Sequence, residues 1–120
     1  MVDREIPAEV VYEDGTAFAI ADIHPRAPGH TFVIPKQHYA TFTEMPDELV
    51  GPLFEAVKKV AILLKDRVKA DGITIGINQG RASGQEVDHL HIHILPRFVG
   101  DGGGSIQSVV NNPPKGKLKI

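Results

Sequence analysis

The chain has 120 residues, a hydrophobic fraction of 42% and a formal net charge of −2, which indicates one globular domain. This balance argues against a nucleic-acid backbone as the main partner, because such partners favour a basic surface. The absence of cysteine excludes disulfides and thiolate metal sites. With no membrane-spanning apolar run and no signal-peptide pattern, we expect a cytoplasmic protein without a membrane partner.

The first third of the chain predicts three short strands. Residues 9–13 and 16–21 flank Asp14-Gly15, a dipeptide typical of a hairpin turn. A loop with two prolines and a glycine follows, and the third strand is predicted at residues 30–35. A short helical turn is expected within residues 39–43.

A long helix is predicted next. Pro46 and two acidic residues are typical of a helix start, and Asp71-Gly72 is expected to end the helix. Its length would be about 35 Å. Phe54, Ala61 and Ile62 widen the apolar stripe, which suggests a second packing partner such as another subunit. The stripe itself consists of Leu49, Leu53, Val57, Val60, Leu64 and Val68.

The remaining pattern predicts two more strands, at residues 73–78 and 88–96, separated by a glycine-bounded loop at residues 80–85. Residues 99–104 are rich in glycine and are expected to be flexible. The tail that follows is expected to be loosely ordered or to pack on a partner. Short strands joined by tight loops, with one long helix inserted, indicate an α+β fold with a mainly antiparallel sheet.

The fifth predicted strand carries three histidines at alternate positions. In an extended strand, successive side chains point to opposite faces. The apolar row can therefore be buried while the imidazole row faces a cleft or water. The two rows are His89, His91 and His93 on one face, and Leu90, Ile92 and Ile94 on the other.

Three interpretations of the imidazole row are open. A straight row of three spans about 13 Å and cannot converge on one ion, so a zinc site would need His30, Asp88 or another side chain to complete it. The histidines could instead be structural or chance surface residues. The third interpretation is nucleophilic catalysis on phosphorus, with a neutral imidazole as nucleophile, a second imidazole as proton carrier, and loop N–H groups receiving phosphate oxygens.

Residues beyond the histidine row add to this pattern. They are Asp22-Ile23, Pro25, Ala27-Pro28-Gly29-His30, Val33-Ile34-Pro35-Lys36, His38, Asn78, Gly80 and Gly84-Gln85. Together with the motif His-φ-His-φ-His-φ-φ at residues 89–95, they resemble the histidine triad (HIT) superfamily of nucleotide hydrolases and transferases. The similarity covers about residues 6–98.

The resemblance implies a role for each histidine. His91 would be the nucleophile that attacks the α-phosphorus and forms a nucleotidyl-imidazole intermediate. His89 and His93 would flank it, shaping the phosphate pocket and carrying protons. His30 would approach them from a neighbouring strand, whereas His38 is expected to be a surface or packing residue.

The resemblance also implies the nucleotide contacts. Asp22 would accept hydrogen bonds from the ribose hydroxyls, although it could instead cap the proline-rich loop. Ile20 and Ile23 would line the base pocket. The α-phosphate oxygens or the leaving group would be held by Asn78, Gln85 and the backbone of Gly84 and Glu86. Asn78 could equally be a turn residue at a strand end, and Gln85 a solvated loop side chain.

The implied protein is a single HIT domain over residues 1–120, forming a two-fold homodimer whose sheet continues from one subunit to the other. It would use no cofactor and no metal. Its substrates would be dinucleoside polyphosphates or nucleoside phosphoramidates, although Glu86 stands where phosphoramidases of the family carry a hydroxyl residue. Two alternatives remain: a nucleotide-binding or interaction module with little catalysis, and a histidine-based metal protein.

Overall fold

The computed structural model describes residues 9–22, 25, 27–113, 115 and 116. Over these residues the chain forms five strands, one long helix and three short 3-10 turns. The strands are β1 (Val10–Glu13), β2 (Ala17–Ala21), β3 (Thr31–Pro35), β4 (Gly72–Gly76) and β5 (Ile92–Arg97), the helix is α1 (Asp47–Val68), and the turns are Phe42–Glu44, Arg81–Ser83 and Ile106–Val109.

The five strands form one sheet in the order β1-β2-β3-β5-β4, and each neighbouring pair is antiparallel. The Asp14 carboxylate closes the predicted hairpin, because its Oδ1 accepts hydrogen bonds from the N–H groups of Thr16 (2.8 Å) and Ala17 (2.9 Å). The predicted α+β class and the five-stranded antiparallel sheet are thereby confirmed. β1 and β4 are the two edges of the sheet.

One face of the sheet is covered by α1, and the core lies between them. Alternation along β2, β3 and β5 sends one row of side chains from each strand into this core. The predicted apolar row of the fifth strand is confirmed as part of it. The fully or nearly fully buried members are Ala17, Ala19, Val33, Leu90, Ile92 and Ile94 from the sheet side, and Leu53, Ala56, Val57, Val60 and Leu64 from α1.

The helix runs over 22 residues, in agreement with its apolar periodicity. Pro52 lies in the second turn of the helix, where it lacks the N–H that would donate to the carbonyl oxygen of Glu48. Lys69, with φ of 55°, ends the helix in the left-handed region two residues before the predicted stop. Phe54 and Ile62 of the apolar stripe are exposed. Within the described part of the chain, no helix has the length and apolar character needed to cross a bilayer.

Two predicted strands are shorter in the structure. β4 ends at Gly76 rather than residue 78, and β5 begins at Ile92 rather than residue 88. β3 pairs with β5 only from Thr31 to Val33. Beyond this point the backbone N–H of Leu90 donates to the carbonyl oxygen of Tyr39 (2.6 Å), in the segment that follows β3. Residues 88–91 therefore follow a loop instead of continuing the ladder.

The glycine-rich segment after β5, for which we predict flexibility, makes hydrogen bonds with Arg97. The Arg97 guanidinium donates to Oδ2 of Asp101 (2.8 Å), to the carbonyl oxygen of Gly104 (2.8 Å) and to Oγ1 of Thr74 on β4 (3.1 Å). The hydrogen bonds that Asp101 accepts from Arg97, and secondly from the N–H groups of Gly103 and Phe98, lower the pKa of its carboxyl. The 3-10 turn that follows is thereby held close to the face of the sheet that α1 leaves uncovered.

Candidate active site

The uncovered face of the sheet carries the histidines. Cross-strand register places Ile20, Phe32, His93 and Gly76 side by side on β2, β3, β5 and β4. Next to them Asp22 and His30 lie opposite each other, since the Asp22 N–H donates to the carbonyl oxygen of His30 (2.9 Å). The same alternation that buries Ile92 and Ile94 in the core therefore assembles polar and aromatic side chains on the opposite face.

His91 is oriented by the main chain. Its Nδ1 lies 2.9 Å from the carbonyl oxygen of His89. A carbonyl oxygen can only accept, so Nδ1 of His91 carries the proton and Nε2 of the neutral ring carries the lone pair. The ring also packs edge-to-face on Phe32, with 5.1 Å between ring centroids. This hydrogen bond thus selects the tautomer of the neutral His91 ring that keeps the lone pair on Nε2.

A chain of three side chains lies beside it. Nδ1 of His93 is 3.1 Å from Nε2 of His30, and Nδ1 of His30 is 3.3 Å from Oδ2 of Asp22. Burial, with smaller contributions from His91 and His30, lowers the pKa of His93 to about 4. His93 is therefore neutral near pH 7. If the Asp22 carboxylate accepts the Nδ1 proton of His30, then Nε2 of the neutral His30 ring accepts a hydrogen bond from Nδ1–H of His93. The Nε2 atom of His93 is then left with a lone pair that can accept a proton.

His89 departs from the predicted row. It lies before β5, is 2% exposed, and its ring packs against His38 with Nδ1 atoms 2.7 Å apart. Its contribution to His91 is its backbone carbonyl rather than its imidazole. Burial also lowers the pKa of His89 to about 4. The straight three-histidine row is wrong, because the chain leaves the ladder before Ile92.

The glycine-bounded loop is stabilised mainly by its own atoms. Gly80 and Gly84 have φ of 88° and 99°, a region that favours glycine. Oε1 of Gln85 accepts from the Gly80 N–H (2.8 Å), and Nε2 of Gln85 donates to the carbonyl oxygens of Ala40 (2.7 Å) and Val87 (3.1 Å). Gln85 is buried, so its side chain anchors the loop instead of being solvated.

This bonding limits which loop groups can hold a phosphate. The N–H groups of Gly84 and Gln85 donate to the carbonyl oxygens of Arg81 (3.0 Å) and Gly80 (3.1 Å). These two N–H groups, which were predicted to contact the phosphate, therefore already have acceptors within the loop. Within the described ranges the N–H of Glu86 has no protein acceptor, and it remains the available donor of this set.

A cavity of about 980 Å³ opens beside the histidines. Asp22, His30 and His93 line one side of it, and Asn78 lies on the other side in the loop after β4. Apolar side chains of the tail complete the wall: Ile106, Val109 and Val110. Asn78 is thus brought to the site, as predicted, although it lies outside the strand.

Of the two residues predicted to line the base pocket, Ile20 is buried with Phe18 and Ile34, next to Phe32, and Ile23 lies outside the described residues.

Two residues of the site were not predicted. Phe32 contacts both His91 and His93, with centroid distances of 5.1 and 4.9 Å. Its alternation with the core residue Val33 is the sequence signal that places it on the face of the histidines.

The second residue that sequence reasoning missed is His38, which was expected to be a surface or packing residue. No local pattern predicts its contact with His89, because the two residues are 51 positions apart. Across the described ranges, no group of three or more His, Asp or Glu side chains is placed to hold a metal ion.

Comparison with known proteins gives a consistent family match. Residues 3–100 match the family model described as HIT domain. An uncharacterised HIT-like protein of Methanocaldococcus jannaschii is 50% identical over 102 residues, which cover 85% of this chain and 78% of that protein.

Two crystal structures are also similar. A HIT-family protein of Bacillus subtilis has a TM-score of 0.81 and 40% identity, over 88% of this chain and 75% of that chain. A hypothetical histidine triad nucleotide-binding protein of Sulfolobus tokodaii has a TM-score of 0.78 and 43% identity, over 81% and 65%.

The lowered pKa values predict that the protein loses stability in mild acid. Unfolding returns His89 and His93 to the ordinary pKa of about 6.5, so the unfolded chain binds more protons between about pH 6.5 and pH 4. The free energy of unfolding should therefore fall as the pH drops through this window, by at most about 1.4 kcal/mol per pH unit for each histidine. Denaturant titrations at several pH values measure this slope.

NMR titration of the two rings provides the residue-level check. Midpoints near 4 are expected for His89 and His93 in the folded protein. A His93→Asn variant serves as the control and should show a smaller slope of stability against pH. A midpoint near the ordinary histidine value for both rings would contradict the burial argument.

Proposed function

The chain belongs to the HIT domain family, and we propose that it is a nucleotide-binding hydrolase that acts at the α-phosphate of adenylated substrates through a covalent nucleotidyl-histidine. The observation that supports this most directly is the hydrogen bond from Nδ1 of His91 to the His89 carbonyl. In the neutral ring it leaves the nucleophilic lone pair on Nε2.

In the first step, Nε2 of His91 attacks the α-phosphorus, the new N–P bond forms, and the bond from phosphorus to the leaving group breaks. The imidazole then carries a proton on Nδ1 and phosphorus on Nε2, so it becomes positively charged. The His89 carbonyl dipole already points at Nδ1–H and stabilises this charge. In the second step, water attacks the same phosphorus, the N–P bond breaks, and His91 returns to its starting tautomer.

The chain of His93, His30 and Asp22 would manage protons in these steps. Nε2 of neutral His93 can accept a proton from the attacking water, and the Asp22 carboxylate stabilises the charge passed along the two rings. A neutral His93 is scarcely available as an acid for the leaving group. This favours polyphosphate leaving groups, which depart as stable anions, over amines, which need a proton. Dinucleoside polyphosphates are therefore the preferred substrate class, with nucleoside phosphoramidates as the other candidate.

The nucleotide would bind to the face of the sheet that α1 leaves uncovered. Phe32, which packs on the buried Ile20, offers an apolar surface for a base, and the Asp22 carboxylate would accept a ribose hydroxyl. The N–H of Glu86 and the side chain of Asn78 would contact phosphate oxygens. Asp22 would then act both on the ribose and on His30.

A homodimer is the proposed assembly. β4 is an edge strand with an exposed isoleucine, Ile75, and α1 exposes Phe54 and Ile62. An exposed apolar edge strand favours pairing with another chain. Pairing of β4 with its copy would continue the sheet from one subunit into the other.

Replacing the nucleophile tests the chemistry. The variant His91→Asn should reduce AMP release from diadenosine tetraphosphate by at least about a thousandfold, because it removes the ring nitrogen that would attack the phosphorus. AMP binding measured by calorimetry should persist in this variant. Acid-quenched wild-type protein should carry an adenylyl adduct on His91 by mass spectrometry. An adduct on another residue would contradict the assignment.

Absence of any turnover in the wild-type protein, with AMP still bound, would favour a binding module with little catalysis. Elemental analysis of untagged protein tests the remaining alternative, a histidine-based metal protein.

The ribose contact can be separated from the contact with His30. Wild-type protein should bind AMP about tenfold more tightly than 2′-deoxy-AMP, because a charged hydrogen bond is lost with the hydroxyl. In the variant Asp22→Ala the two ligands should bind almost equally, since any disturbance of His30 affects both. Calorimetry gives the dissociation constants of both ligands for both proteins. The ratio of the two discriminations measures the coupling between Asp22 and the 2′-hydroxyl. Unchanged discrimination in the variant would exclude Asp22 as the ribose acceptor.

Two charged substitutions test the assembly. Ile75→Lys on β4 should convert a dimer to a monomer at micromolar concentration, because it places a charge at the proposed pairing edge. Val10→Lys, at an equally exposed position on the opposite edge strand β1, is the matched control and should remain a dimer. Sedimentation velocity measures both. A monomeric wild-type protein would refute the proposed assembly.

A further inference from the structure

His38 and His89 form a contact that the proposed reaction does not yet use. Their Nδ1 atoms are 2.7 Å apart and their ring centroids 4.8 Å apart. His89 is buried, whereas His38 is exposed in the segment after β3. At this distance one Nδ1 must donate a proton and the other must accept it.

The surroundings of His89 select one of the two arrangements. Its Nε2 is buried and has no acceptor in hydrogen-bond geometry within the described ranges; the Pro35 backbone, which makes a minor upward contribution to the pKa of the ring, does not reach that geometry. If the proton of neutral His89 were on Nε2, a buried N–H donor would be left without an acceptor, which is the more costly of the two defects. With the proton on Nδ1, only a lone pair remains unpaired. His89 is therefore the donor, and Nδ1 of His38 accepts its proton.

The same segment is also held through its backbone. The N–H of Leu90 donates to the Tyr39 carbonyl (2.6 Å), one residue away from each of the paired histidines. The peptide between these two attachments contains the His89 carbonyl, which accepts the Nδ1 proton of His91 (2.9 Å). The direction of this carbonyl is consequently set by two attachments together, the Leu90 hydrogen bond on the same peptide unit and the position of the His89 ring.

We propose that His38 is a positioning residue: by accepting the Nδ1 proton of His89, it fixes the His89 carbonyl in the direction that presents Nε2 of His91 to the phosphorus. This inference rests on the proposed function, since it names a residue that acts on the same nucleophile. His38 does not touch the substrate. Its effect is on the rate of the covalent step rather than on nucleotide binding.

Three variants test this role by steady-state AMP release from diadenosine tetraphosphate. His38→Leu removes the acceptor, and kcat should fall by about 10- to 100-fold, the range expected when a reacting group is misplaced. KM should stay within about threefold of wild type, because the binding surfaces are unchanged. His38→Asn puts a side-chain oxygen near the position of Nδ1 and should restore most of kcat. Lys58→Leu, at an exposed position of α1, is the control and should retain wild-type kinetics.

Nitrogen-15 NMR of the histidine rings gives a readout that a purely structural role would not move. In the wild-type protein near pH 7, His89 should be the Nδ1–H tautomer; in His38→Leu it should change toward Nε2–H. A wild-type His89 that carries its proton on Nε2 would overturn the proposal, and this measurement needs no variant to fold. Wild-type kcat in a folded His38→Leu protein would also overturn it.

The experiments distinguish a failure of the proposed function from a failure of the role of His38. If wild-type protein releases no AMP and forms no adduct, the proposed function is refuted, and the NMR tautomer of His89 and the response of the His91 Nδ1 resonance to His38→Leu still decide the positioning contact. If the wild-type protein is active and His38→Leu is equally active, only the role of His38 is refuted.

Discussion

The hydrogen bond between Nδ1 of His91 and the main-chain carbonyl of His89 is the interaction on which the chemistry proposed for this protein depends. It uses the one atom of the peptide group that can only accept, and so it determines which ring nitrogen keeps its lone pair. It also connects the nucleophile to the backbone rather than to a mobile side chain. Whatever holds residues 89 and 90 in place therefore affects His91.

The fold provides that support by using the two faces of one sheet differently. Leu90, Ile92 and Ile94 are buried against α1, and burial of side chains of this size typically contributes about 1.5–3 kcal/mol each. The same strand cannot slip by one residue without exchanging this apolar row for the histidines. The register that stabilises the core thus also fixes the position of His93, and the loop that precedes β5 places His91 beside it.

Burial and charge act at different positions of the site, burial on His89 and His93 and the Asp22 carboxylate on His30. Burial keeps His93 and His89 neutral near pH 7, which preserves proton acceptors, while Asp22 lies next to His30 at the other end of the chain of rings. In the proposed reaction, a positive charge that develops on an imidazole would therefore be met by a carbonyl dipole or a carboxylate.

The sequence by itself determined the apolar alternation of residues 90–94, the hairpin at Asp14, the periodicity of α1 and the family to which the chain belongs, because each of these depends on neighbouring residues or on a spacing of two or of three to four. Only the tertiary structure decided where β4 and β5 stop, that Gln85 anchors its loop, that Phe32 packs on two histidines, and that His89 turns to His38. These features depend on which donors and acceptors meet across distant segments. A residue such as Leu90 gives its N–H to Tyr39 because of how β3 and β5 are placed side by side, and no local pattern contains that information.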